Sequence, residues 1–148
     1  MSFDLDFSKF IKETDEVASK IIRGTALAMF SSIVKRTPVG NPDNWKVPYK
    51  PKDYVGGRLR GNWQLTLNKA ANNEVNATDD SGRETIAAGV VAASGSKIKD
   101  TIYLANNLPY AESVEDGSST QAPSGMVKVT LDSFEREIRK NARKHGNT

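Results

Sequence analysis

The sequence predicts an α+β fold, with a long N-terminal helix, a short middle helix and a C-terminal helix packed on a small, mainly antiparallel sheet. Three observations carry that reading. Apolar residues recur at helical spacing in two long segments, from about Ser8 to Lys35 and from Gly125 to about Lys144. Between them, residues 58–69 and 99–105 alternate apolar and polar side chains with period two, as half-buried strands do. A shorter helical stripe lies between those strands. At 148 residues and 37% hydrophobic, the chain suits one domain, residues 1–148, with one modest core.

Taken in order, residues 1–7 are expected to be a loosely held end. Ser8 can cap the first helix, whose stripe is Ile11, Ala18, Ile22, Met29 and Ile33, with Phe10, Val17, Ile21 and Ala28 beside it. If continuous, that helix is about 42 Å long, and Gly24-Thr25 is a place for it to bend. Such a length exceeds what a small sheet covers, so part of it is expected to pack on another subunit. Pro38 and Gly40 end it, since the residue before proline is pushed out of the α region.

Residues 40–56 then form an extended aromatic and proline-rich loop, with Pro42, Pro48, Pro51, Trp45, Tyr49 and Tyr54 and with Lys46, Lys50 and Lys52 between them. Rings interleaved with lysines can stack bases and bind phosphates. The favoured reading is an ordered loop whose aromatics pin it to the body or to a neighbouring subunit.

Residues 58–69 place Leu59, Trp63, Leu65 and Leu67 on one side of a strand. Arg58 and Arg60 on the other side are expected to pair with Glu112 or Glu115 rather than to face phosphate. Asp79-Asp80-Ser81 offers caps for a helix over 82–94, striped by Ile86, Val90 and Ala93. Ile102 and Leu104 point inward from the second strand, or Thr101 and Tyr103 if the other face is covered. A third strand is expected from 45–49 or from 72–77. In the junction that follows, Asn106-Asn107 ends the strand, Pro109 starts a helical turn and Gly117 closes it. The closing helix is striped by Val127, Leu131, Phe134 and Ile138, and residues 145–148 are expected to be loosely held.

Charge is unevenly spread. The net +3 is small. From Met126 onward, Lys128, Arg136, Arg139, Lys140, Arg143 and Lys144 outweigh Asp132, Glu135 and Glu137; residues 1–20 lean acidic through Asp4, Asp6, Glu13, Asp15 and Glu16. The two ends therefore carry opposite signs.

Constellations for chemistry are missing from the sequence. With no cysteine there is no disulfide framework and no thiolate site. The lone histidine, His145, stands in a terminal segment and suits neither a catalytic triad nor a metal site. Gly89 to Gly95-Ser96-Lys97 has the wrong spacing and order for a phosphate loop. Asp79, Asp80, Glu84, Glu112, Glu115 and Asp116 lack the spacing of a calcium loop. The acidic start and the absence of an apolar run near 18 residues argue against export and membrane insertion. No cofactor, metal or enzymatic activity is expected.

One resemblance emerges from the motifs. Asn106-Asn107-Leu108-Pro109-Tyr110-Ala111, then Val114-Glu115-Asp116-Gly117-Ser118-Ser119, then Gln121-Ala122-Pro123-Ser124-Gly125-Met126-Val127 resembles the neck or tail-completion proteins of long-tailed bacteriophages, also described as minor tail or tail-component proteins. Arg36-Thr37-Pro38-Val39 and Gly57-Arg58-Leu59-Arg60-Gly61-Asn62-Trp63 precede them in the order that family shows. The family commonly joins those two pieces by a few residues, whereas here Gly40 to Gly56 intervene.

The resemblance implies a structural virion protein, assembled in the host cytoplasm as a homo-oligomeric ring, commonly of six. Such a ring completes the tail and joins it to the head connector, with DNA only as passing cargo. Its partners would be head-closure or connector proteins on one face and tail-terminator or tail-tube proteins on the other. Trp45, Tyr49, Tyr54, Arg58, Arg60 and Tyr110 are the expected contact residues, with Trp63, Pro109, Gly117 and Phe134 as structural anchors. The alternatives are a tail-terminator or head-closure ring of the same neck, and a small basic DNA-binding module using the loop lysines, Arg58 and Arg60 or the last helix.

Overall fold

Phe3, Leu5 and Phe7 alternate with Ser2, Asp4 and Asp6, and this period of two starts the molecule with a strand. In the computed structural model, which describes residues 1–7, 15–40 and 54–146, Ser2–Asp4 is β1 and pairs antiparallel with β3, Ile102–Ala105. β2, Gln64–Leu67, pairs antiparallel with the other side of β3, giving the order β1-β3-β2. The expected α+β class is therefore observed, with a long first helix and a small antiparallel sheet.

The third strand is a correction. It comes from the end expected to be loose, not from 72–77, and 45–49 lies outside the described residues. The reason is burial: Leu5 and Phe7 enter the core, and the N-terminal ammonium donates to the Asn106 carbonyl at 3.0 Å.

Helix α1, Asp15–Arg36, runs through the middle of the core and buries Ala18, Ile21, Ile22, Thr25, Ala26, Met29, Phe30, Ile33 and Val34. The Ser8 cap, Phe10 and Ile11 lie outside the described residues. By length and composition α1 is apolar enough to cross a bilayer, although charged residues interrupt it along the sequence. Here its apolar side is sheathed by α3, Arg83–Ala93, and by α6, Phe134–His145. Gly24 lets α6 approach closely, because a side chain there would collide with Asn141.

Residues 58–69 form a strand only in their second half. Arg58–Gly61 is a single helical turn, α2, introduced by Gly57 at φ 100°. Leu59 and Trp63 are four apart, a spacing that suits a helical turn as well as a strand, so the burial is as expected while the backbone is not.

α3 is also rotated from its expected stripe. Thr85, Gly89 and Ala93 face the core, and Val90 and Val91 face out at 47% and 73% exposure. Gly89 sets this rotation by letting the Phe30 ring lie on the helix backbone. Its start is held as expected by Asp79, whose carboxylate accepts the Gly82 N–H at 2.9 Å and the Thr85 N–H and hydroxyl at 2.8 and 2.7 Å. Burial opposes the charge, but the bonds from Thr85, Gly82 and Ser81 outweigh it and hold this carboxyl below the usual aspartate value. Its stabilisation is therefore fully present above pH ~4, the unfolded value, and is lost as pH falls through the lower folded value. Asp79→Asn is expected to cost about 1–2 kcal/mol at neutral pH. Urea unfolding at pH 7 and pH 3 should show the gap between parent and variant shrinking in acid; a constant gap would contradict this.

The closing helix divides into α5, Val127–Leu131, and α6. The Ser133 hydroxyl donates to the Thr130 carbonyl at 2.8 Å, competing with the helical ladder where the two meet. In consequence Phe134 and Ile138 pack inward, with Phe134 edge-on to Phe7 at 5.3 Å, while Leu131 is left 40% exposed.

Candidate interaction surface

The motif residues turn out to hold one another. Trp63, 2% exposed, donates its indole N–H to the Thr37 hydroxyl at 2.7 Å, and Thr37 donates in turn to the Ile33 carbonyl. Arg60 spreads its guanidinium over the end of α1, donating to the carbonyls of Thr37 and Lys35 and to that of Asp80. The Lys35 and Thr37 carbonyls are among those that a helix C-terminus leaves unpaired. Gln121 clasps both main-chain groups of Val39, and the buried Asn106 side chain donates to the Leu59 carbonyl at 2.8 Å. Thus the five sequence pieces, drawn from three separate stretches of the chain, form one knot.

The expected pairing of both arginines is corrected. Arg60 caps the end of α1 through the Thr37 and Lys35 carbonyls instead of pairing with Glu112 or Glu115. Arg58 pairs with Glu74 at 3.2 Å, not with Glu112 or Glu115, and both partners are half exposed, so the pair is worth under about 1 kcal/mol. Glu115 has a different task. Its carboxylate accepts the N–H groups of Met126 and Val127, each at 2.7 Å, and of Lys128 at 3.1 Å, which starts α5. Neither role was read from the sequence; an acid lying twelve residues before a helix start gives no local signal.

Pro109 and Gly117 frame α4, Ala111–Glu115, as expected. Gly117, at φ 95°, donates to the Val114 carbonyl and Ser118 to that of Ser113, the paired bonds of a Schellman ending.

What the knot leaves exposed is a patch of Tyr54, Val55, Arg58 and Tyr110. Tyr54, Arg58 and Tyr110 line a pocket of about 200 Å³ with Pro38, Leu59 and Val114. Three of the six expected contact residues are therefore brought together; Trp45 and Tyr49 lie outside the described residues. Partial burial raises the Tyr110 phenol above its usual value, Arg58 opposing and Tyr54 and Glu74 adding, so it stays a proton donor. Tyrosine beside arginine is the composition of interface hot spots. The described ends of the intervening loop meet here, since Gly56 lies against the Gly40 carbonyl and the Tyr54 hydroxyl covers Gly40.

A second surface was missed by the sequence reading. Val90 and Val91 stand out from α3 with Ala87 and Ala88, without a charged residue from Thr85 to Ser96. Beside them a groove of about 340 Å³ runs between α3 and β2, lined by Phe30, Trp63, Leu65, Val75, Ala77 and Ala88. β2 is an edge strand. Its register leaves the main-chain groups of Leu65 and Leu67 pointing away from β3, with no main-chain partner for them among the described residues. The uninterrupted run Ile86-Ala87-Ala88-Gly89-Val90-Val91 was the available signal, since it is apolar on more than one face.

Among the described residues no three histidine or acidic side chains are grouped as metal ligands. No protein-family model, curated protein sequence or solved structure matches this chain.

Proposed function

We propose that the chain is a structural subunit that assembles with copies of itself into a ring in the neck of a long-tailed bacteriophage, completing the tail and joining it to the head connector. Its work is to bury surface rather than to make or break bonds. One observation carries the assembly reading: among the described residues the chain offers two different exposed apolar surfaces, the Tyr54/Val55/Tyr110 patch and the Val90/Val91 face beside the β2 edge. A head-to-tail contact requires two unlike patches, and such contacts close into rings when the rotation permits. The placement in a phage neck rests on the motif resemblance, and the knot formed by those motifs gives that shared pattern a structural reason.

At micromolar concentration the chain is expected to sediment as a closed oligomer. Val91→Glu and Tyr110→Ala should each yield slower species, with thermal midpoints within a few degrees of the parent. A parent that stays monomeric with its helical content intact would sink the assembly reading. Phage particles lacking the protein test the position: full heads beside finished, unattached tails support joining, whereas tails of uncontrolled length indicate a terminator.

A further inference from the structure

The net +3 of the protein resides in one element. α6 carries Arg136, Arg139, Lys140, Arg143 and Lys144 against Glu135 and Glu137. Removing those five from 21 basic residues and those two from 18 acidic ones leaves sixteen of each sign in the rest of the chain. All five cations are exposed, and at about 100° per residue they fall within an arc of about 140°. Phe134, Ile138 and Ala142 occupy the opposite side, packed in the core. Arg139 pairs with Glu135. No acidic side chain among the described residues pairs with the other four.

Helix stability does not account for this face. The helix dipole favours cations in the last turn, which covers Arg143 and Lys144, but it disfavours Arg136 in the first. The apolar side of α6 is already spent on the core, so no hydrophobic stripe remains to enter a membrane. The cationic face carries no aromatic ring on which bases would stack. What it offers is positive charge alone, over about 12 Å of helix, a length along which duplex DNA presents roughly seven phosphates.

We propose that the exposed face of α6 binds duplex DNA through its phosphates, without sequence preference. This does not rest on ring assembly. The test is fluorescence anisotropy of the full chain with two 30-base-pair duplexes of unrelated sequence. Equal affinities are expected, falling about 100-fold between 50 and 200 mM salt, the loss for about four displaced counterions. Arg136→Gln/Lys140→Gln/Arg143→Gln/Lys144→Gln should weaken binding at least about 30-fold at low salt. Arg136→Lys/Arg143→Lys, which keeps the charge, should bind within about threefold of the parent. Circular dichroism checks that both variants are folded.

Binding unchanged in the quadruple variant, or a salt loss below about fourfold, overturns the proposal. So does displacement of DNA by poly-glutamate at equal charge concentration, which would assign the face to an acidic protein partner. Because assembly is placed on other surfaces, the quadruple variant should keep the sedimentation of the parent. Loss of self-association in it would make α6 a subunit contact and end the DNA assignment.

Discussion

Trp63→Ala is expected to destabilise the fold by about 3–5 kcal/mol, a large part of the 5–15 kcal/mol that holds a domain of this size. The indole is almost wholly buried, stands edge-on to Phe3 at 6.5 Å, and bonds Thr37 at the end of α1. Truncation therefore opens a cavity between the sheet and α1 and leaves the Thr37 hydroxyl without its donor. A fall of roughly 10–15 °C in the midpoint of a circular dichroism melt is the expected reading. Trp63→Phe keeps most of the ring and loses only the N–H, so its loss should be smaller, about 1–2 kcal/mol. If Trp63→Ala melted with the parent yet no longer assembled, the residue would be a contact residue and the anchor role would be wrong.

Glu115→Ala is expected to cost about 2–4 kcal/mol, because three main-chain N–H groups lose their acceptor together and that of buried Met126 has no route to water. The damage should be local in origin. Freed from its cap, α5 frays, and the Gly125 turn that lies against Glu115 loosens with it. Glu115→Gln keeps one acceptor oxygen but turns a donor toward donors, so its loss should fall between parent and Ala. Hydrogen exchange distinguishes the mechanism: protection at residues 126–128 should drop more than protection in β3. Equal loss across the molecule would instead mean that Glu115 holds the whole core rather than one helix start.

The two variants probe different parts of the same design. Trp63 ties the first and second motifs along the chain together, and Glu115 ties the fourth to the fifth. The proposed assembly surfaces are centred on the exposed Tyr110 and Val91, whereas Trp63 and Glu115 are buried.

Long-period features were legible in the sequence. Ala18, Ile22, Met29 and Ile33 were enough to orient α1, since nothing but a helix brings those positions to one side. For β3 the sequence left two orientations open, of which burial selects Ile102 and Leu104 inward; the Asp79 cap, the Gly117 ending and the Trp63 anchor came from local chemistry that acts within a few residues. Tyr54, Arg58 and Tyr110 were singled out by residue type, which does not report where a residue lies; the fold places them around one pocket.

Contacts between distant residues could not be read this way. That residues 2–4 form the third strand depends on β3 offering an edge, and the rotation of α3 depends on Phe30 meeting Gly89. Arg60 was assigned to the surface because a cation alternating with leucines reads as exposed; only the folded chain brings the end of α1 within its reach. Local propensity and periodicity fix which elements form and which side of each is apolar. Which partner covers that side, and which sides stay bare for another chain, is decided by packing at short range between segments that the sequence holds far apart.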